Sequence, residues 1–580
     1  MVAKHRTLRA ALCVTVALSG AAGCLLVTPL DELPAAAGGA SHSGKSAGGA
    51  STGGTSEGGA TSGSSMLGGA GAGDGGEPMN VAGESNGSGE CRSNADCIRQ
   101  SADEPYRCRP SDHTCVALKN EACPLAYGNA GDPNAIFFGA FATLNRSMPD
   151  DNSIIWAHEL ARGELSGKNV GGLPDGPNGM TRPLVMIVCD NTGDVVAPGL
   201  EHLARDVQVP AIIATLKPSD LREAFVQYRD QNIFYLSPVP DTTIVINKED
   251  DGLIWNMLGQ PRDLAPTYPE LLKLVEKRLR KDRQLQPTDQ IKVAFVTTKD
   301  AFDSELGNAV LPLLNFNELD ATGNADNFAG FTLDYADPEL LTTSLPHMAI
   351  DIAIYQPDVI ISTASEVFSM DDGLLEKIED EWGTDKPRPF YMLSPYNAGN
   401  LDQIKQLMNA FIDGGVEADP EQRFVGVSIA GPSDNTLQNS YALRLHTAFK
   451  KAIFDTANYY DAIYYLAYAM YAADPSQELT GSSIAQGMQR LLSGKSFNVG
   501  PSDIGAVFKT LAAPGSTVHI ASTLGPPDFD PKTGVRAVDG SVLCFSKMGA
   551  TVELHADVLR YDTDQHALIG TFPCFSGFFP

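Results

Sequence analysis

From residue 135 to the C-terminus, short runs of apolar, β-forming residues alternate with stretches that carry apolar residues at helical spacing. This alternation limits the fold more than any other feature, because a strand, a helix and a second strand of the same sheet close as a right-handed parallel crossover. Strands are expected at 135–143, 184–189, 211–214, 233–236, 291–297 and 359–363. Between them lie helices such as 197–207, in which Leu200, Leu203, Ala204 and Val207 form one apolar stripe. The β-α-β-α order runs twice, so the expected fold class is α/β, with two doubly wound parallel-sheet lobes. A chain of 580 residues exceeds what one core organises, and 43% apolar content supplies two.

The first ninety residues have another character. A basic stretch with Lys4, Arg6 and Arg9, an apolar run at 10–18 and small residues at 19–23 are the three parts of a secretory signal, and Cys24 follows at once. That order resembles a bacterial lipobox, although Ala21 stands where the lipobox prefers Leu. The resemblance implies a signal peptide over 1–23, lipidation at Cys24 and a place in the cell envelope of a bacterium, held to a membrane by the lipid anchor only. An ordinary cleaved signal that meets a Cys by chance is the alternative. Leu25 is not the Asp that retains many lipoproteins at the inner membrane, which leaves the outer membrane open. No later stretch reaches the roughly 18 apolar residues that a membrane helix needs. Residues 24–90 are dominated by Gly, Ser, Ala and Thr and bury too little apolar surface to fold; about 55 residues of such tether reach roughly 40 Å.

Cys91, Cys97, Cys108, Cys115 and Cys123 follow in a short polar stretch, and residues 91–132 are expected to form a small Cys-rich module. The spacing contains no Cys-x-x-Cys pair and His113 is the one nearby histidine, which speaks against a zinc site and for disulfides, as export allows. Setting aside Cys13 and Cys24 from the ten cysteines leaves these five with Cys189, Cys544 and Cys574, an even number. The pairing expected is local for the first four, Cys123 to Cys189, and Cys544 to Cys574; the spacing alone leaves the connectivity open.

The 42 basic and 71 acidic residues give a net charge of −29, which repels phosphates and excludes nucleic acid as a partner. Catalytic motifs fail one by one. His158-Glu159 lacks the second His of a metalloprotease helix, Arg162 standing in its place. Gly426-Val427-Ser428-Ile429-Ala430-Gly431 is one residue too long for a nucleophile elbow, and no P-loop lysine motif occurs. Asp528-Phe529-Asp530 opens like a calcium loop but lacks the closing Glu. No metal, cofactor or enzymatic role is therefore expected.

The motifs from residue 135 onward resemble, in order, those of the extracellular ligand-binding receptor family, the type 1 periplasmic binding proteins that include the leucine-isoleucine-valine-binding proteins of ABC importers. Ile154-Ile155-Trp156-Ala157-His158-Glu159-Leu160 sits where that family has its first helix, and Gly171-Gly172 where it has a Gly-Gly turn. Val209-Pro210-Ala211-Ile212-Ile213 and Ile233-Phe234-Tyr235-Leu236-Ser237-Pro238 are similar to its next strands. Lys292-Val293-Ala294-Phe295-Val296 with Asp300-Ala301-Phe302 resembles the start of its second lobe, Tyr460-Asp461-Ala462-Ile463 its "Y-D-A-V" helix, and Gly525 to Asp530 its "G-x-x-x-F-D" turn. The resemblance implies one ligand-binding domain over 133–580, joined by a three-strand hinge. Lobe 1 would span about 133–255 and 429–522, and lobe 2 about 256–428 and 523–580.

The same resemblance implies a cleft between the lobes that closes on a small-molecule ligand. Aligned with the family's ligand loops are Ser219 and Asp220 after the third strand, Asp241 and Thr242 after the fourth, and Phe302, Tyr391 and Tyr396 from lobe 2. Pro218 and Pro240 replace residues that hold α-amino acids in the family. Two carboxylates facing the cleft would favour a cation or polyhydroxyl; the alternative is that Asp220 caps a helix and Asp241 lies in a solvated turn, and core packing accounts equally well for the aromatics. The function implied is a substrate-binding lipoprotein that captures a small, amino-acid-like solute as a monomer for ABC permease subunits. A ligand sensor or surface recognition module using the same cleft is the alternative, motivated by the tether and the Cys-rich module.

Overall fold

A computed structural model describes residues 91–98, 105–144, 152–167, 170–174, 180–240, 242, 250–334, 338–364, 366–370, 372–383, 386–395, 397, 401–432, 435–450, 456–473, 478–549 and 551–574. The signal, Cys24 and the tether lie outside the described residues.

Apolar runs seven residues long give the centre of the first lobe. Strands β2 (Ile136–Ala142) and β3 (Leu184–Asp190) are buried at every position, as strands covered on both faces must be. With β1 (Leu125–Tyr127), β4 (Ala211–Ile213), β5 (Phe234–Ser237) and β6 (Ile254–Asn256) they form a sheet in the order β1-β3-β2-β4-β5-β6, parallel except for β1. Its even-numbered side chains in β2 face helices α1 (Ser153–Ser166) and, from late in the chain, Ala457–Ala472; the others face Val196–Glu201 and α2 (Pro218–Gln227). The stripe Leu200, Leu203, Ala204, Val207 is buried as its spacing requires, but the helix expected over 197–207 is corrected: the α-helix ends at Glu201 and His202–Val207 continues as a wider π-helix, closed by Gln208 at φ +60°.

The second lobe repeats the plan and extends it. After α3 (Thr267–Asp282), strands β7 (Val293–Thr298), β8 (Phe328–Leu333), β9 (Val359–Ser362), β10 (Phe390–Leu393) and β11 (Phe424–Ile429) run parallel in the order β8-β7-β9-β10-β11, and α4 (Ala301–Val310) follows β7. The expectation of a purely parallel sheet is corrected here. Strands β12 (Gly540–Met548), β13 (Thr551–Asp562) and β14 (Ala567–Gly570) add three antiparallel strands beyond β11, because Gly549, at φ +66°, turns the chain tightly back on itself. The Cys544–Cys574 disulfide fastens the end of the chain to β12.

Chain segments near residues 256, 430 and 522–537 cross between the lobes. The Asn256 amide donates to the Gly534 carbonyl at 2.8 Å, and the Arg536 amide to the Asn256 carbonyl at 2.9 Å. Likewise the Ala430 amide reaches the Asp539 carbonyl at 2.8 Å. One apolar cluster runs through the crossings from Phe138 in lobe 1 by way of Trp255 and Phe529 to Val293 in lobe 2.

The Cys-rich module is part of lobe 1. Disulfides Cys91–Cys108 and Cys97–Cys115 brace a hairpin of Tyr106–Cys108 and Cys115–Ala117, and Cys123–Cys189 ties the module to β3. Arg107 lies 4.8 Å over the Phe137 ring and donates to the carbonyls of Val207 and Gln208 at 2.6 and 3.1 Å. Next, β1 pairs with the outer side of β3 and covers what would be an open sheet edge.

His158 on α1 is wholly buried, edge-on to Tyr459 with ring centroids 5.8 Å apart, and neither ring nitrogen has a hydrogen-bond partner among the described residues. Burial pushes its imidazole down to about 3. The unfolded chain takes up a proton near pH 6.5 that the folded chain refuses, so the stability held above pH 6.5 is lost as pH falls towards 3, by up to about 1.4 kcal/mol per pH unit. His158→Leu is expected to flatten that acid slope in urea-unfolding midpoints; a slope unchanged by the substitution contradicts the assignment.

Candidate functional site

Strand order locates the site. In each lobe the five parallel strands run second, first, third, fourth, fifth, so the chains leaving the first and third strands depart to opposite faces of the sheet. The crevice left at their carboxyl ends is where open α/β sheets bind ligands. In lobe 1 it lies between the ends of β2 and β4, at Thr143 and Thr215; in lobe 2 it lies between β7 and β9, at Thr298 and Thr363. Helices α2 and α4, each following a crevice strand, approach one another across the gap. The two crevices therefore open towards a common space.

The lobe 1 crevice is built from short polar side chains that fix the strand ends. Thr143 Oγ1 donates to Asn191 Oδ1 at 2.8 Å, and Asn191 Nδ2 donates to the Thr215 carbonyl at 2.9 Å, so one amide ties the ends of three strands. Asn152 caps α1, accepting from the amides of Ile154 and Ile155, and also donates to the Thr143 carbonyl. Beneath them Asp190 accepts from the Thr192 hydroxyl at 2.9 Å and the Leu144 amide at 3.3 Å. Thr215 Oγ1 is buried without a partner among the described residues, an unspent hydrogen-bonding group at the switch point. After β5, the Val239 carbonyl is fixed by Ser237 Oγ at 3.1 Å and Asn256 Nδ2 at 2.7 Å, and the Pro238 carbonyl by Asn458 Nδ2 at 2.7 Å.

Lobe 2 answers with a similar set. Thr298 Oγ1 donates to the buried carboxylate of Asp303 at 2.5 Å, and Asp300 caps α4 by accepting from the Phe302 amide at 2.9 Å. The Ala364 carbonyl accepts from Ser394 Oγ at 2.6 Å and Asn397 Nδ2 at 3.1 Å, which joins the loops after β9 and β10. Lys299 pairs with Asp334 at 2.7 Å at the ends of β7 and β8. These bonds tie the described parts of the crevice loops together, and loops fixed before binding lower its ordering cost. A separate hollow of about 400 Å³ lies on the flank of lobe 2 between α4 and β8, walled by Phe295 and Phe328; it shares only Thr298 and Lys299 with the crevice.

The residues picked out in the sequence fall into three groups. Ser219 and Asp220 stand in the first turn of α2, at the crevice, Ser219 exposed and Asp220 half-buried. Ser219 Oγ donates to Asp220 Oδ1 at 3.4 Å, and the side chain of Lys217, the N-cap residue, makes no capping bond. Burial pushes the Asp220 carboxyl up, against Lys217 and Ser219, which hold it down. Thr242, in the segment between β5 and β6, is buried. Asp241 and Tyr396 lie outside the described residues. Phe302 and Tyr391, by contrast, are corrected to core positions. Phe302 is 2% exposed and packs beneath the start of α4. Tyr391 stacks on Phe424 with centroids 4.9 Å apart and donates to Glu379 Oε1 at 2.6 Å; burial, then Glu379, push its hydroxyl well above the usual range and keep it a donor. An aromatic in a strand reads the same in sequence whether it faces core or ligand. The sequence reading does not pick out the crevice residues Thr143, Asn191, Thr215 and Thr363, although each stands within two residues of the end of a buried strand.

Among the described residues, the one His, Cys, Asp or Glu group compact enough for a metal ion is Cys91, Cys97 and Cys108, all engaged in disulfides.

No family model and no curated protein matches the chain. Solved structures are similar in shape. An ABC transporter substrate-binding protein from Desulfitobacterium hafniense, in complex with Leu, is 14% identical; the match covers 73% of this chain and 100% of that one, with a TM-score of 0.47. The branched-chain amino acid transporter substrate-binding protein from Streptococcus pneumoniae, in complex with isoleucine, is 13% identical over 73% and 99%, with a TM-score of 0.47. A solute-binding protein of an ABC transporter from Rhodopseudomonas palustris, in complex with 3,4-dihydroxybenzoic acid, is 11% identical over 73% and 98%, again at 0.47. At these values the description of the fold rests on the two strand orders given above.

Proposed function

We propose that the chain binds a small, amino-acid-like solute between its lobes, as a non-enzymatic binding protein of the bacterial envelope that delivers the solute to ABC permease subunits. One observation carries the reading: two sheets of the same strand order present their switch points to a shared space, with the unpartnered Thr215 hydroxyl at one of them. The motif resemblance from residue 135 onward supports it, and the signal with Cys24 supports attachment by a lipid. Neutral hydroxyls and amides predominate at the strand ends, and Lys299 faces Asp334, which suits a solute of no net charge.

A sensor that uses the same closure is the second reading. It is favoured by the weld of the Cys-rich module to lobe 1 through Cys123–Cys189. Crosslinking that recovers a permease supports delivery, and recovery of a different envelope protein supports sensing.

A thermal-shift screen of the disulfide-intact chain against amino acids, amides, polyamines, sugars and small acids tests binding itself. A solute at 100 times its dissociation constant adds about 2.7 kcal/mol of stability, and the expected result is a clear upward shift with an amino acid or its amide. Silence across the panel from a cooperatively melting protein would sink the proposal.

A further inference from the structure

One buried carboxyl group fastens the crossing at 522–537 to lobe 1. Asp461, in the second turn of Ala457–Ala472, has no exposed surface; its Oδ1 accepts the Thr523 amide at 3.2 Å and its Oδ2 the Thr523 hydroxyl at 2.6 Å. Thr523 begins the crossing that leaves lobe 1. Ser522 and Gly525 close a tight turn around it through two backbone bonds of 2.8 and 3.0 Å. On the return path Arg536, also buried, donates to the carbonyls of Leu524 and Pro526, while its amide holds Asn256 on the first crossing. The charged and titratable groups facing Asp461 are Arg536 from the return path and Tyr465 from its own helix, with Asp528 acting on both. Burial pushes the Asp461 carboxyl up to about 7, against the Thr523 bonds, then the Ser522 hydroxyl and then Arg536, which favour the charged form.

We propose that Asp461 makes the hinge a proton-controlled joint: neutral, it keeps Thr523 fastened to lobe 1, and charged, it draws in water, frees the 522–526 turn and lets the lobes swing more easily. A neutral carboxyl keeps both contacts in weaker form, one oxygen still accepting the amide and the other exchanging a hydrogen bond with the Thr523 hydroxyl, and it avoids the larger cost of a charge held away from water. The raised carboxyl holds its proton in the fold between about pH 4 and 7, where the unfolded chain has released it. Fastening is therefore full below about pH 4 and is progressively lost as pH rises from there through 7. The joint goes beyond solute binding and works in the empty protein.

Hydrogen exchange of the amides at 518–526 in the full chain, at pH 6 and pH 8 and corrected for the chemical rate, tests it. Protection in the wild type is expected to fall by up to about tenfold between pH 6 and pH 8, and in Asp461→Asn to be equal at both. Thr523→Val removes a donor that favours the charged form, so its loss of protection is expected at higher pH. Equal wild-type protection at both pH values, or the same loss in Asp461→Asn, overturns the proposal. Should Asp461→Asn not fold, an unshifted transition in Thr523→Val overturns it instead.

Discussion

Replacing Arg423 with Ala is expected to cost about 3–5 kcal/mol, because it removes one of the two guanidiniums that hold a buried carboxylate inside lobe 2. Glu379 is buried on Leu374–Glu381, and Arg423 holds both its oxygens at 3.0 and 3.3 Å while bridging to Glu417 at 2.7 Å. Arg388 and the Tyr391 hydroxyl complete the set. Removing the guanidinium leaves buried Glu379 with Arg388 and the Tyr391 hydroxyl as its remaining partners. A double replacement, Glu379→Leu with Arg423→Leu, is expected to recover a large part of the loss, since it removes the buried charge along with its partner. Urea midpoints read both. A single variant that loses less than about 1 kcal/mol would show that water reaches this network.

The second large effect concerns the weld between the Cys-rich module and lobe 1. Cys123 and Cys189 are 66 residues apart, and opening a loop of that size releases chain entropy worth about 4 kcal/mol. The double variant Cys123→Ala with Cys189→Ala is expected to lower the lobe 1 unfolding midpoint by that order. It is also expected to promote self-association, as β1 would fray from the outer side of β3 and leave an apolar strand edge exposed. A variant that melts unchanged and stays monodisperse contradicts the integral role of the module.

What could be read from the sequence follows a physical divide. Strands β2, β3 and β9 announce themselves as continuous apolar runs, because a strand covered on both faces has no polar side to show. Strand β13 mixes Glu553, His555 and Arg560 among apolar residues and makes no such run, since one side of it is partly wet. That is why the antiparallel extension of the second sheet went unforeseen. Ser219 and Asp220 stand in the first turn of α2, beside the lobe 1 switch point, whereas Tyr391, for which the sequence leaves ligand and core equally open, is buried in the core. Asp461 was legible in another way. A single acid in the run Asn458-Tyr459-Tyr460-Asp461-Ala462-Ile463-Tyr464-Tyr465 has nowhere on its helix to meet solvent, and every residue of Ala457–Ala472 is buried.

The central claim is that one solute is held by both lobes at once, and hydrogen exchange with and without the solute found by screening tests it most directly. Protection is expected together at 191–192 and 214–217 in lobe 1 and at 298–300 and 363–364 in lobe 2. Protection confined to one lobe, or to the flank between α4 and β8, would contradict a shared cleft.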